Sequence, residues 1–158
     1  MSLFDSRLHN YYLSMWKRGI IDVSKFRTYV KLTTMVEQES CVKLNLRKSQ
    51  RSCLAQLRCG ILPLRIETEM YIVEQREERI GRFCSENSIG DESHFVLDCS
   101  FYTELRSEHF EDIISHVKYL QMSNDENFYH VLINFPRKTA EYLVDAIKKR
   151  RQVVFGQV

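Results

Sequence analysis

At 158 residues, with 44% hydrophobic and 28% charged side chains, the chain has the composition of one soluble globular domain with a sizeable core, or of two very small ones. Five Gly and two Pro exclude collagen-like and linker-rich chains, and no run of 18 apolar residues is present to span a membrane. The net charge of +2 conceals a basic front (11 Lys/Arg against 4 Asp/Glu in residues 1–60), an acidic middle (6 against 15 in 61–135) and a basic tail (6 against 2 in 136–158). Two readings of that zoning stay open: a phosphate-facing surface at each end, or zones that pair with one another within one fold.

The first predicted element is a helix. Leu3, Phe4, Leu8, Tyr11, Tyr12, Met15 and Trp16 recur at three- and four-residue steps up to Gly19, the spacing of one apolar helical face. Asp5, Arg7, His9, Lys17 and Arg18 interrupt that segment, so it lacks the apolar core of a secretory leader. With no leader, an odd count of five cysteines points to a reducing, intracellular compartment, nuclear or cytoplasmic. Asp22 or Ser24 caps a second helix whose stripe is Phe26, Tyr29, Val30, Met35 and Val36. Glu39–Leu46 reads as a break, and a third helix runs from Arg47 to Cys59, stopped by Gly60 ahead of Pro63.

Laid out at 100° per residue from Arg47, Arg58, Arg51 and Lys48 fall at about 20°, 40° and 100°, whereas Cys53, Leu57 and Leu54 fall at about 240°, 280° and 340°. The third helix is therefore basic on one side and apolar on another. Arginines aligned along one face suit a phosphate backbone, because each guanidinium donates several hydrogen bonds to phosphate oxygens. The same pattern also describes the solvated face of a core helix.

Residues 66–80 are acidic and show no clear period, and Gly81–Gly90 reads as a loop or short hairpin. A helix starts near Asp91 or Glu92 and carries Phe95, Val96 and Leu97; Ser100 caps the next, with Leu105, Phe110, Ile113, Ile114 and Val117 as its apolar positions. Ser123, Asn124 and Asp125 make a turn, followed by a short helix with Phe128, Val131, Leu132 and Phe135 that Pro136 ends. The last helix places Ala140, Leu143, Val144 and Ile147 on one face and an Asp145/Lys149 pair outside, and its Lys148–Arg151 run suits a helix C-terminus.

The residues with the most distinctive chemistry lie around Cys84. Cys84, His94 and Cys99 are spaced C-x9-H-x4-C, three of the four ligands of a Cys-Cys-His-Cys zinc site, with the last gap bringing His94 and Cys99 to one helical face or across a turn. The first cysteine of a C-x-x-C pair would stand at position 81, which is Gly81. Three ligands leave an open position or a weak site, unless Cys53 or Cys59 approaches in space with a fourth thiolate. The competing reading makes Cys84 and Cys99 small buried hydrophobes and His94 a hydrogen-bonding residue at a helix start.

Two stretches and the spacing between them resemble the C-terminal region of non-LTR retrotransposon reverse transcriptases. RSCLAQLRCGILPLRIETEMY (Arg51–Tyr71) is similar to that family's basic helix and its following G-x-L-P-L-x-I-E-T turn. EERIGRFCSENSIGDESHFVLDCSFYTELR, ending at Arg106, is similar to its zinc-binding E-x-R-I-C-x-x-C…D-E-x-H-F-x-x-x-C-x-x-Y-x-x-L-R segment, and KFRTYVKL (Lys25–Leu32) to its preceding helix. The resemblance covers residues 20–106 of a single domain, with 107–158 as a helical tail packed on it. It implies a mainly α, small multi-helix domain with a short zinc-knuckle-like loop or hairpin. It also implies zinc at Cys84, His94 and Cys99 with the first cysteine replaced by Gly81, and nucleic-acid contact through Arg47, Lys48, Arg51 and Arg58. The implied partners are RNA or DNA, and a reverse transcriptase polymerase encoded elsewhere.

Polymerase chemistry itself is not expected. It needs carboxylates that hold two metal ions over the incoming phosphate, and the chain has no Asp-Asp dipeptide and too little length for a palm, fingers and thumb. Phosphate-loop, zincin, nucleophile-elbow and dinucleotide-binding signatures are also missing. The reading is a non-catalytic nucleic-acid-binding module; the alternative is a structural or interaction protein, or an element remnant without retained binding.

Overall fold

Apolar positions recur at three- and four-residue steps along most of the chain, and the backbone answers with helices. The computed structural model describes residues 3–23, 26–33, 39–68, 75–119 and 123–156. Among them run α1 (Leu3–Ile21), α2 (Arg27–Leu32), α3 (Lys48–Arg58), α4 (Arg65–Thr68), α5 (Thr103–Tyr119), α6 (Asn124–Asn134) and α7 (Pro136–Phe155). Short tight turns link them at Ser40–Lys43, Arg76–Glu78 and Ser100–Tyr102, with a π-helical turn at His94–Asp98. Ser24, Met35, Val36 and the Met70–Tyr71 end of the family-like stretch lie outside the described residues, as do the side chains of Leu3, Phe4, Ile114 and Val117.

The core forms around α7, which packs against α3, α5 and α6. Ala140, Tyr142, Leu143 and Ala146 of α7 are fully buried, and so are Leu57 of α3, Phe110 of α5 and Leu132 of α6. Removing each such leucine or phenylalanine from water contributes roughly 1.5–3 kcal/mol. Tyr142 sits at the centre: its ring lies 4.9 Å from that of Phe110, and its hydroxyl donates to the Phe95 carbonyl at 2.6 Å. That bond satisfies a polar group that would otherwise be costly to bury, and it ties α7 to the π-turn.

Helix ends differ from expectation in two places. Pro136 does not merely stop α6; it opens α7 at a position where its fixed φ suits a first turn and its missing N–H costs nothing. The Lys148–Arg151 run lies inside α7, which continues to Phe155 and ends at Gly156 in the left-handed region (φ 58°). The run therefore does not cap the helix. Nor do Asp145 and Lys149 pair with each other. Asp145 meets His109 at 3.0 Å and Lys149 meets Glu104 at 3.6 Å, both across the α5–α7 interface.

The charge zones pair within the fold. Arg27 and Lys31 of the front reach Glu67, Glu92 and Asp125 of the middle, and Lys138 and Lys149 of the tail reach Asp112 and Glu104. At α1 the expected stripe exists but is not covered: Leu8, Tyr11, Tyr12 and Met15 are exposed, Ile20 is buried, and the helix meets α2 with the Trp16 ring against Tyr29. Among the described residues no helix is long and apolar enough to cross a membrane.

Candidate metal centre and nucleic-acid interface

Residues 79–90 fold back as the hairpin-like loop expected there. The Gly90 N–H donates to the Arg79 carbonyl at 2.8 Å and the Gly81 N–H to the Ser88 carbonyl at 2.9 Å, with an Ile80–Ile89 bridge between them. Asn87 turns the tip with φ 50°. The two arms meet at glycines for a steric reason: a Cβ on Gly90 would lie 3.1 Å from the Arg65 Cβ and 3.3 Å from the Gly81 Cα.

The loop delivers Cys84, and the following turn delivers His94 and Cys99. In an α-helix, residues five apart point about 140° away from each other. Here the Cys99 N–H reaches back to the His94 carbonyl at 2.8 Å, a five-residue π-type closure that brings both side chains into one cluster. Asp91 starts the segment, as expected, by accepting the His94 N–H at 3.0 Å through its carboxylate.

Cys84, Glu86, His94 and Cys99 place one ligand atom each within 4.8 Å of all the others, a group that could hold a metal ion. Cys84 Sγ lies 3.2 Å from His94 Nε2, and Glu86 Oε2 lies 4.0 Å from the same nitrogen. Neither Cys53 nor Cys59 belongs to the cluster; the fourth donor is Glu86, which the spacing argument missed. Its signal was present two positions after Cys84, but a carboxylate among many in an acidic segment carries no mark of its own. Gly81 also faces the cluster: a Cβ there would sit 3.3 Å from Cys84 Sγ and 3.5 Å from His94 Nε2.

The surroundings set the protonation of the site. Burial, followed by the hydrogen bond to Glu86, pushes the Cys84 thiol up to about 12, so a metal ion binding here would have to displace its proton. The same contact holds Glu86 below the usual carboxylate range. The buried Tyr102 hydroxyl finds no acceptor for its proton among the described residues, since the Arg150 guanidinium beside it is itself a donor. Tyr102 lines a cavity of about 20 Å³ together with His94 and Cys99.

The four basic candidates of the third helix do not share one surface. Arg47, Lys48 and Arg51 are exposed, but Arg58 is 8% exposed and its guanidinium is ion-paired with Glu39. Arg47 borders a groove of about 580 Å³ with Arg137 and His109, whereas Arg51 borders a different one beside Tyr29, Cys41 and Leu54. Comparison of the chain with protein-family models, with curated proteins and with solved structures finds no match.

Proposed function

We propose that this chain is a non-catalytic nucleic-acid-binding module of the kind found at the C-terminus of non-LTR retrotransposon reverse transcriptases, buttressed by zinc. The observation that carries the reading is the convergence of Cys84, Glu86, His94 and Cys99 around one point. Two thiolates, an imidazole and a carboxylate are a donor set that tetrahedral zinc accepts. Glu86 answers the objection raised by Gly81, because a fourth ligand is at hand without the missing cysteine.

Zinc on this reading fixes the 79–99 segment against the helical body, and exposed cations of α3 and α7 carry the phosphate contacts. Arg58 is not among them, since its charge is already neutralised by Glu39. The test is elemental analysis of the purified protein, paired with oligonucleotide binding over a salt series. Near one zinc per chain and affinity that falls steeply with salt are expected, since each phosphate contact releases counterions. A folded protein without zinc or oligonucleotide affinity would instead favour a structural protein or element remnant.

A further inference from the structure

The cations of the Lys148–Arg151 run lie inside α7, where four consecutive residues project all round the helix. Lys149 Nζ lies 4.9 Å from the centroid of the Phe101 ring and Arg150 Cζ 4.5 Å from that of Phe83. Those two rings stand 5.3 Å apart at 36°, both half-buried, with Phe83 directly before the metal-cluster residue Cys84. Lys148 and Arg151 turn the other way. They line a groove of about 600 Å³ with Ser49, Ser52 and Gln56 of α3, and among the described residues no carboxylate borders it. Lys149 has an acidic neighbour, the exposed Glu104 at 3.6 Å.

We infer that this end of α7 is a binding ridge for a single-stranded nucleic acid, with bases on the Phe83–Phe101 side and backbone phosphates in the Lys148–Arg151 groove. The inference rests on the nucleic-acid reading above and narrows it. The chemistry selects the strand type. Aromatic rings and guanidinium planes stack bases, but only bases that are splayed out of a duplex can reach them. The groove has an apolar floor that includes Pro63, Val144 and Ile147, but its polar groups are cations, hydroxyls and amides with no carboxylate among the described residues, which suits a polyanion. The two surfaces lie on opposite sides of α7, so the bound strand crosses the helix, a width of about 10–12 Å.

The test uses the zinc-loaded full chain, a fluorescent 12-mer of oligo(dT) or oligo(rU), and the matching duplex. Tighter binding of the single strand is expected. Phe83→Leu and Phe101→Leu should each weaken it roughly 5- to 100-fold, the cost of a lost stacking platform. Lys148→Ala and Arg151→Ala should each lower the slope of log affinity against log salt by about 0.7. As a readout that needs no variant, photo-crosslinking of 5-iodouridine oligonucleotide to the native protein should label Phe83 or Phe101. Single-strand binding unaffected by either Phe→Leu change, crosslinks confined to other segments, or tighter duplex binding would overturn this inference while sparing the module reading. No binding of any oligonucleotide would overturn both.

Discussion

Glu92 and His94 stand two residues apart and face different polar clusters. Glu92, 3% exposed, turns to Arg27, whose Nη2 meets its Oε1 at 2.5 Å and whose Nε reaches its Oε2 at 3.2 Å; Glu67 takes the remaining Nη1 at 2.5 Å. His94 turns to Cys84, Glu86 and Cys99. The first cluster already holds a cation of its own, a fork-shaped guanidinium shared between two carboxylates. The second gathers four donors that could hold a metal ion. On the function proposed above, one segment is pinned on one side by charge the chain supplies and on the other by a bound ion.

Breaking the self-sufficient cluster should have the largest effect. Arg27→Met leaves Glu67 and Glu92 buried without a partner, and a loss of about 3–5 kcal/mol in unfolding free energy is expected. Urea titration measures it, and the loss should be the same with and without a chelator. Dependence on the chelator would show that the two clusters are not separate.

Removing the metal should act more locally. Under chelation, hydrogen exchange should accelerate at the amides that close the loop and π-turn, those of Gly81, Gly90 and Cys99, while α7 amides around Leu143 keep their protection. Global unfolding on chelation would mean the helical body depends on the ion as well. Glu86→Gln should lower zinc affinity by at least the roughly 10- to 100-fold that loss of an outer-shell partner costs.

Gly81→Cys sharpens the same contrast. A Cβ at this position meets Cys84 Sγ and His94 Nε2 at 3.3 and 3.5 Å, so an added thiol points into the donor group after a small adjustment. Zinc affinity should rise, and Glu86→Gln in that background should cost little, because a third thiolate replaces the carboxylate. Competition with a colorimetric chelator reads both variants. If Glu86→Gln costs as much in the Gly81→Cys background as without it, the carboxylate is a ligand in its own right and Gly81 is not a vacated ligand position.

How far the sequence revealed this arrangement depended on the kind of signal. Periodicity located the α3 and α7 cores, since Leu54, Leu57, Leu143 and Ile147 lie where their spacing puts them. It placed Arg58 with the basic face because at about 20° the residue falls between Arg47 and Arg51, although Leu54 of the apolar arc is only about 40° away. The inward turn of Arg58 is decided by Glu39, in a non-helical segment that no period describes. The cluster was three-quarters legible because Cys and His are scarce and their spacing is informative. Glu86 and the π-turn were not, because acidic residues are common there and a five-residue closure leaves too short a pattern to recognise. The exposed α1 stripe shows the remaining limit: spacing reveals an apolar face but not what, if anything, covers it.

The smallest effect should come from a carboxylate that the fold uses in water. Ser123 caps α6 in a reciprocal box: its hydroxyl accepts from the Glu126 N–H at 3.3 Å, and the Glu126 carboxylate accepts from the Ser123 N–H at 2.9 Å and from its hydroxyl at 2.7 Å. Ser123→Ala should cost about 1 kcal/mol, measured by thermal or urea unfolding. The bonds from Ser123 hold the Glu126 carboxyl below its ordinary 4.5, so the folded state favours the ionised form. The contribution of Glu126 is therefore present above that ordinary value and fades as pH falls through the lowered one. The gap in stability between native protein and Glu126→Gln should narrow over that acid range and be flat above it. A gap that widened on acidification would mean the carboxylate does not serve as the cap's acceptor. Unlike the buried Glu92, it needs no buried cation, because solvent already stabilises its charge and the cap adds only geometry.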